Sequence, residues 1–223
     1  TTTSLSEKLL QPYFMDEASN IAASQLPVKE GDNVAFLMLS CPEMIYAILA
    51  LNKIGACANM INPTFTAEQM RDRINDSEAD IILILDQLYE RILSVIENTC
   101  PKTRVIVPLE NSMPTMVKAI AHFKLKKKIE KKPNIIYWND FFKTGVGEKL
   151  TTTYTYKENM PAVMVYSSGT TGASKGIVLT NDGINGTIAH YDKEDFVISP
   201  ASYFLAVSGL SAVSENFSNE EKG

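Results

Sequence analysis

Histidine, tryptophan and cysteine are scarce in this chain of 223 residues, which holds two, one and three of them. His122 and His190 have no second histidine or cysteine at ligand spacing, which excludes the common zinc sites. Cys41, Cys57 and Cys100 are odd in number and form no C-x-x-C pair. That speaks against a disulfide framework; three buried, reduced thiols in a soluble, cytoplasmic protein are expected. No apolar run approaches the roughly 18 residues that a membrane-spanning helix needs. The opening Thr1-Thr-Thr-Ser-Leu-Ser-Glu-Lys8 lacks the form of a signal peptide. Positive charge is also short: 21 Lys and Arg against 26 Asp and Glu leave a net charge of −5. A general nucleic-acid binder is not expected on that balance.

What the chain does have is a series of short apolar runs. Val34-Ala-Phe-Leu-Met-Leu39, Ile81-Ile-Leu-Ile-Leu85, Arg104-Val-Ile-Val107, Asn134-Ile-Ile-Tyr137 and Ala162-Val-Met-Val-Tyr166 read as strands. Uninterrupted runs of this length suit strands buried on both faces, as in a parallel sheet. Segments of helical period lie between them. Met44, Ala47, Ile48, Leu51 and Ile54 form one stripe over Glu43 to Ile54, with Gly55 as the stop. Thr66-Ala-Glu-Gln69 has the form of a capping box opening a helix to about Ser77. Leu88, Ile92, Val95 and Ile96 make a third stripe, closed by Pro101. Strands alternating with helices imply a doubly wound, mainly parallel α/β sheet with flanking helices.

Glu110 to Lys132 differs in kind. Met113, Met116, Val117, Ile120 and Phe123 keep helical spacing while lysines crowd the later half. Residues 114–132 therefore suit either a solvated helix resting on the core or weak contact with an anionic membrane surface. Lys143 to Asn159 reads as a loop. Phe36, Met38, Met44, Tyr46 and Met60 read as core residues, and Trp138 as a packing residue near a strand end.

The most informative segment is Tyr166-Ser-Ser-Gly-Thr-Thr-Gly-Ala-Ser-Lys-Gly176, which follows a strand and precedes a helix from about Asn181. Gly169, Gly172 and Gly176 let backbone N–H groups approach a polyanion. Ser167, Ser168, Thr170, Thr171 and Ser174 add hydroxyl donors, and Lys175 adds a point charge. The combination is a phosphate cradle. It is not a Walker A loop, because Gly176 follows Lys175 instead of preceding it.

This segment resembles the phosphate-binding loop of the AMP-forming acyl-CoA synthetases and related adenylate-forming enzymes, [YF]-[ST]-S-G-[ST]-T-G-x-P-K-G. Tyr166 to Gly172, Lys175 and Gly176 match it, and Ser174 stands where that family usually has proline. Lys29-Glu-Gly-Asp-Asn-Val-Ala35, Ile48 to Ala56 and Asn62-Pro63 resemble further family segments, whereas Asp192 to Gly223 show no clear alignment with the family.

The resemblance implies ATP, Mg²⁺ and coenzyme A as reactants, and a carboxylic acid, most simply a fatty acid, as the group activated. It implies that Ser167, Ser168, Gly169, Thr170, Thr171, Gly172 and Lys175 hold the ATP phosphates, with Thr170 or Thr171 near Mg²⁺. No residue here is assigned to catalysis itself. The family's later motifs, an adenine-binding Y-G-x-T-E, a ribose-binding [ST]-G-D and a C-terminal lysine, do not occur. Residues 1–223 are therefore expected to be one α/β domain or subdomain, an N-terminal fragment of the AMP-binding domain without the C-terminal small domain and inactive alone. An amino-acid adenylation module, or a non-catalytic nucleotide-binding module on the same fold, are the alternatives.

Overall fold

A computed structural model describes Ile21 and residues 27–112, 129–146, 148, 155–166 and 175–193. The elements, in chain order, are β1 (Asn33–Leu37), α1 (Pro42–Ile54), β2 (Cys57–Met60), α2 (Ala67–Asp76), β3 (Ile81–Leu85) and α3 (Asp86–Ile96). Then come β4 (Thr103–Val107), a short 3₁₀ turn (Leu109–Ser112), β5 (Ile135–Tyr137) and α4 (Trp138–Gly145). Strands β6 (Pro161–Tyr166) and β7 (Gly176–Thr180) precede α5 (Asn181–Lys193).

The seven strands form one sheet in the order β5-β4-β3-β1-β2-β6-β7. Every neighbouring pair is parallel except β6 with β7. The first five strands thus have the flavodoxin-like order. Right-handed crossovers then dictate the faces. The step from β1 to β2 runs one way along the sheet and the steps to β3 and β4 run the other, so α1 and the pair α2–α3 must lie on opposite faces. The core divides accordingly. Phe36, Met44, Ile48, Leu83 and Val105 pack on one face, with Trp138 and Phe141 of α4. Leu37, Met70, Ile74, Ile84, Ile92 and Tyr166 pack on the other.

Local chemistry explains the element ends. The lone Gly55 at the C-terminus of α1 has φ +75°, a conformation other residues resist, and its N–H returns to the last carbonyls. Thr66 accepts the Gln69 N–H at 3.2 Å while Gln69 Oε1 accepts the Thr66 N–H at 3.0 Å, a complete capping box. Thr66→Ala is expected to destabilise the fold by about 1 kcal/mol, read as a lower urea midpoint at unchanged slope. Trp138 begins α4 buried, edge-on to Phe141 with ring centroids 5.4 Å apart.

Three expectations need correction. Cys41 and Cys57 are buried, but Cys100 is exposed, because it follows the end of α3 and leans on Asn75, its Sγ 3.4 Å from Oδ1. Lys143 to Gly145, read as loop, complete the last turn of α4, where Thr144 Oγ1 donates to the Phe141 carbonyl at 2.7 Å. Met60 and Tyr46 are only partly buried against the core.

Candidate functional site

In a doubly wound sheet ligands bind beyond the carboxyl ends of the strands, where the strand order reverses. Strand β6 enters the sheet beside β2 after the chain has left the far edge at β5, so such a reversal lies at β6. Its parallel register with β2, Asn59 beside Met164 and Met60 beside Val165, brings two loops to the same edge. One is the Asn62–Phe65 turn after β2. The other is the glycine- and hydroxyl-rich loop after Tyr166.

That loop is tethered at both ends. Tyr166 pairs with Gly176 in the antiparallel ladder of β6 and β7, so the segment between them starts and finishes at adjacent positions. A Cβ at Gly176 would lie 2.9 Å from the Sδ of the flexible Met164 side chain and in ordinary contact, 3.5 Å, with the Tyr166 ring. Lys175 is exposed beside this junction. Of the residues expected to hold phosphate, Ser167, Ser168, Gly169, Thr170, Thr171 and Gly172 lie outside the described residues, and only Lys175 lies within them. The lysine-rich stretch 114–132 lies outside them up to residue 128, and Lys131 and Lys132 are exposed.

The edge itself is firmly built. Asn62 Oδ1 accepts from the Thr64 N–H at 2.9 Å and from Thr64 Oγ1 at 2.8 Å, a side-chain turn that reverses the chain. Arg91 of α3 donates to the carbonyls of Pro63 at 3.1 Å and Phe65 at 3.4 Å, fastening the same turn from outside. Beneath it Tyr166 is buried at 5% exposure, and its hydroxyl lies 3.4 Å from the Arg73 carbonyl. Sequence reasoning gave no role to Arg73, Arg91 or Phe65. Their one signal was the order of aromatic, capping box and arginine, which reads as an ordinary amphipathic helix.

Burial pushes the Tyr166 phenol up to about 12, with Asp76 adding to the rise and Arg73 opposing it. Burial likewise pushes the Cys57 thiol, on β2, up to about 11. Both groups hold their protons more tightly in the fold than in the unfolded chain, whose thiols and phenols titrate near 9 and 10. Their contribution to stability is therefore complete below about pH 9. It falls as pH rises through the window between 9 and 12. Denaturation midpoints measured from pH 7 to 11 should decline above pH 9, and Cys57→Ala should flatten the first part of that decline.

The residues matched by the AMP-binding enzyme family model run from 14 to 214, nearly the whole chain. The chain belongs to the AMP-binding enzyme family. It is 32% identical over 168 residues to an acetyl-coenzyme A synthetase of Rhodopirellula baltica, covering 73% of this chain and 23% of that protein. It is 25% identical over 161 residues to a long-chain-fatty-acid–CoA ligase of Bacillus subtilis, covering 70% and 29%. The fold superposes on an acetoacetyl-CoA synthetase from Streptomyces lividans with a TM-score of 0.60 at 19% identity, over 76% of this chain and 26% of that one. The chain thus spans about a quarter of the length of the relatives it matches. The mainly parallel sheet with flanking helices is the one expected.

Proposed function

We propose that this chain is the N-terminal part of the large domain of an AMP-forming acid–thiol ligase. The observation that carries the reading is the loop closed by the Tyr166–Gly176 pair at the carboxyl edge of the sheet, in a chain of the AMP-binding enzyme family. In the proposed reaction a carboxylate oxygen attacks the α-phosphorus of ATP. The bond to the bridging oxygen breaks, pyrophosphate leaves and an acyl-adenylate remains. A thiol, that of coenzyme A, then attacks the acyl carbon and AMP leaves.

This chain's part is to bind and neutralise the leaving group. The hydroxyls of Ser167, Ser168, Thr170 and Thr171, the backbone of Gly169 and Gly172, and Lys175 would hold the β- and γ-phosphates. Oxygen donors such as Thr170 and Thr171 suit Mg²⁺, and no acidic cluster able to hold a metal occurs among the described residues. Bound there with ATP, the ion would offset phosphate charge. The acid is proposed to be aliphatic, in keeping with the acetyl and long-chain fatty-acid activities named for two relatives.

Carboxylate-dependent ATP–pyrophosphate exchange by the full-length protein tests the reading, with acetate, octanoate and amino acids compared. Exchange with an aliphatic acid, followed by thioester formation with coenzyme A, supports it. Exchange with amino acids alone would move the chain to the amino-acid adenylation class, and no exchange with any acid would refute the activity. The chain of 223 residues by itself is expected to show none.

A further inference from the structure

Arg73 is a buried arginine in a place that does not call for one. It sits in α2 at 6% exposure, where an ionised side chain is costly unless strongly paired. Burial lowers the affinity of its guanidinium for the proton, although Asp72 opposes this. Its polar contacts are sparse: NH1 donates to the Gln69 carbonyl at 2.8 Å, and the Nε hydrogen has no acceptor. What surrounds the guanidinium instead is aromatic. Its carbon lies 4.1 Å from the centre of the Phe65 ring and 6.0 Å from the centre of the Tyr166 ring.

This arrangement follows from helix geometry. Side chains lean toward the N-terminus of their own helix, so Arg73 reaches back one turn to Gln69 and on to Phe65, just before the Thr66 cap. Phe65 belongs to the turn fixed by Asn62 and Arg91. Tyr166 is the last residue of β6, the root of the phosphate loop. The guanidinium therefore stands over two rings, one in the Asn62–Phe65 turn and one at the end of β6. The Tyr166 hydroxyl turns back to the carbonyl of Arg73 itself.

We propose that Arg73 is a positioning residue for triphosphate binding, holding Tyr166 against the Asn62–Phe65 turn and so fixing the point from which the loop starts. The reading rests on the function proposed above for that loop. It accounts for the charge, since a planar cation attracts two ring faces at once where a leucine would only fill space.

Two measurements test it, one of which needs no nucleotide. In Arg73→Met, amide exchange at Tyr166 and Gly176 should quicken about tenfold, within the range of one partly buried cation–π contact, while β1 and β3 stay as protected as before. In the full-length protein the same variant should raise the KM for ATP by about tenfold, leave the KM for the acid within about twofold, and recover in part as Arg73→Lys. Unchanged exchange at Tyr166 and Gly176, or an equal rise across the whole sheet, would overturn the proposal by reducing Arg73 to a packing residue. An active enzyme with an unaltered KM for ATP in Arg73→Met would do the same. Should the full-length enzyme form no adenylate at all, the functional reading fails and the exchange result still decides the role of Arg73 at Tyr166.

Discussion

Lys175→Ala is expected to lower acid-dependent ATP–pyrophosphate exchange in the full-length protein by about a hundredfold or more, the usual effect of deleting one preorganised charge partner. The side chain is exposed, so the same change should leave the denaturation midpoint nearly where it was. That separation between activity and stability is the informative part. The backbone of Lys175 is held because Gly176 is locked into the ladder opposite Tyr166. A lysine on an untethered loop would have to be ordered each time ATP bound, at a cost in side-chain and backbone entropy. Here the anchor is fixed and only the side chain must settle. Lys175→Arg should recover part of the loss, since the charge is retained but its shape is planar and larger. A Lys175→Ala enzyme with full exchange activity would show that the phosphates bind elsewhere.

Phe36→Ala is expected to cost about 3–5 kcal/mol, a large share of the ~5–15 kcal/mol that holds most domains together. Phe36 is fully buried in β1 and stands in register with Met60 of β2 on one side and Leu83 of β3 on the other. Its loss would open a cavity under α1 at the centre of the sheet, where rigid strands on both sides limit collapse. Equilibrium urea denaturation should give a much lower midpoint with the slope unchanged. A cost below about 1 kcal/mol would mean that the sheet centre repacks freely, which is at odds with so dense a core.

The strands that read as apolar runs were legible because they are buried on both faces. Ile81–Leu85 is fully buried along its length, as its run of isoleucine and leucine implies. Strand β2 was not legible. Cys57-Ala-Asn-Met60 contains no β-branched residue, and the fully buried Asn59 in its middle reads locally as a turn former. Only pairing on both sides, with β1 and β6, makes it a strand. Strand β7 was missed because it opens on Gly176 and lies at the sheet edge, with Ile177 and Val178 both largely exposed. Helix ends were plainer, since Thr66, Gln69 and Gly55 act within a few residues of themselves.

The candidate site divides in the same way. The composition of its loop, glycines, hydroxyls and a cation in one short stretch, was legible as a candidate phosphate cradle. What holds the loop was not, since the partners of Tyr166 lie far away in sequence. The contact between Arg73 and Tyr166 joins residues 93 apart, and nothing local to an arginine in a polar helix marks it as buried. Cys100 shows the opposite error. Cysteine is usually buried, but this one follows a helix end at the surface.

On the function proposed here, the segment from Tyr166 to Gly176 would bind the β- and γ-phosphates of ATP. Calorimetric titration of the full-length protein and its Lys175→Ala variant with ATP and with AMP tests it most directly. ATP is expected to bind more tightly than AMP to the unaltered protein, and that preference should shrink by about tenfold in the variant while the affinity for AMP holds. Equal affinity for ATP and AMP in the unaltered protein, or a preference for ATP that survives the loss of Lys175, would contradict it.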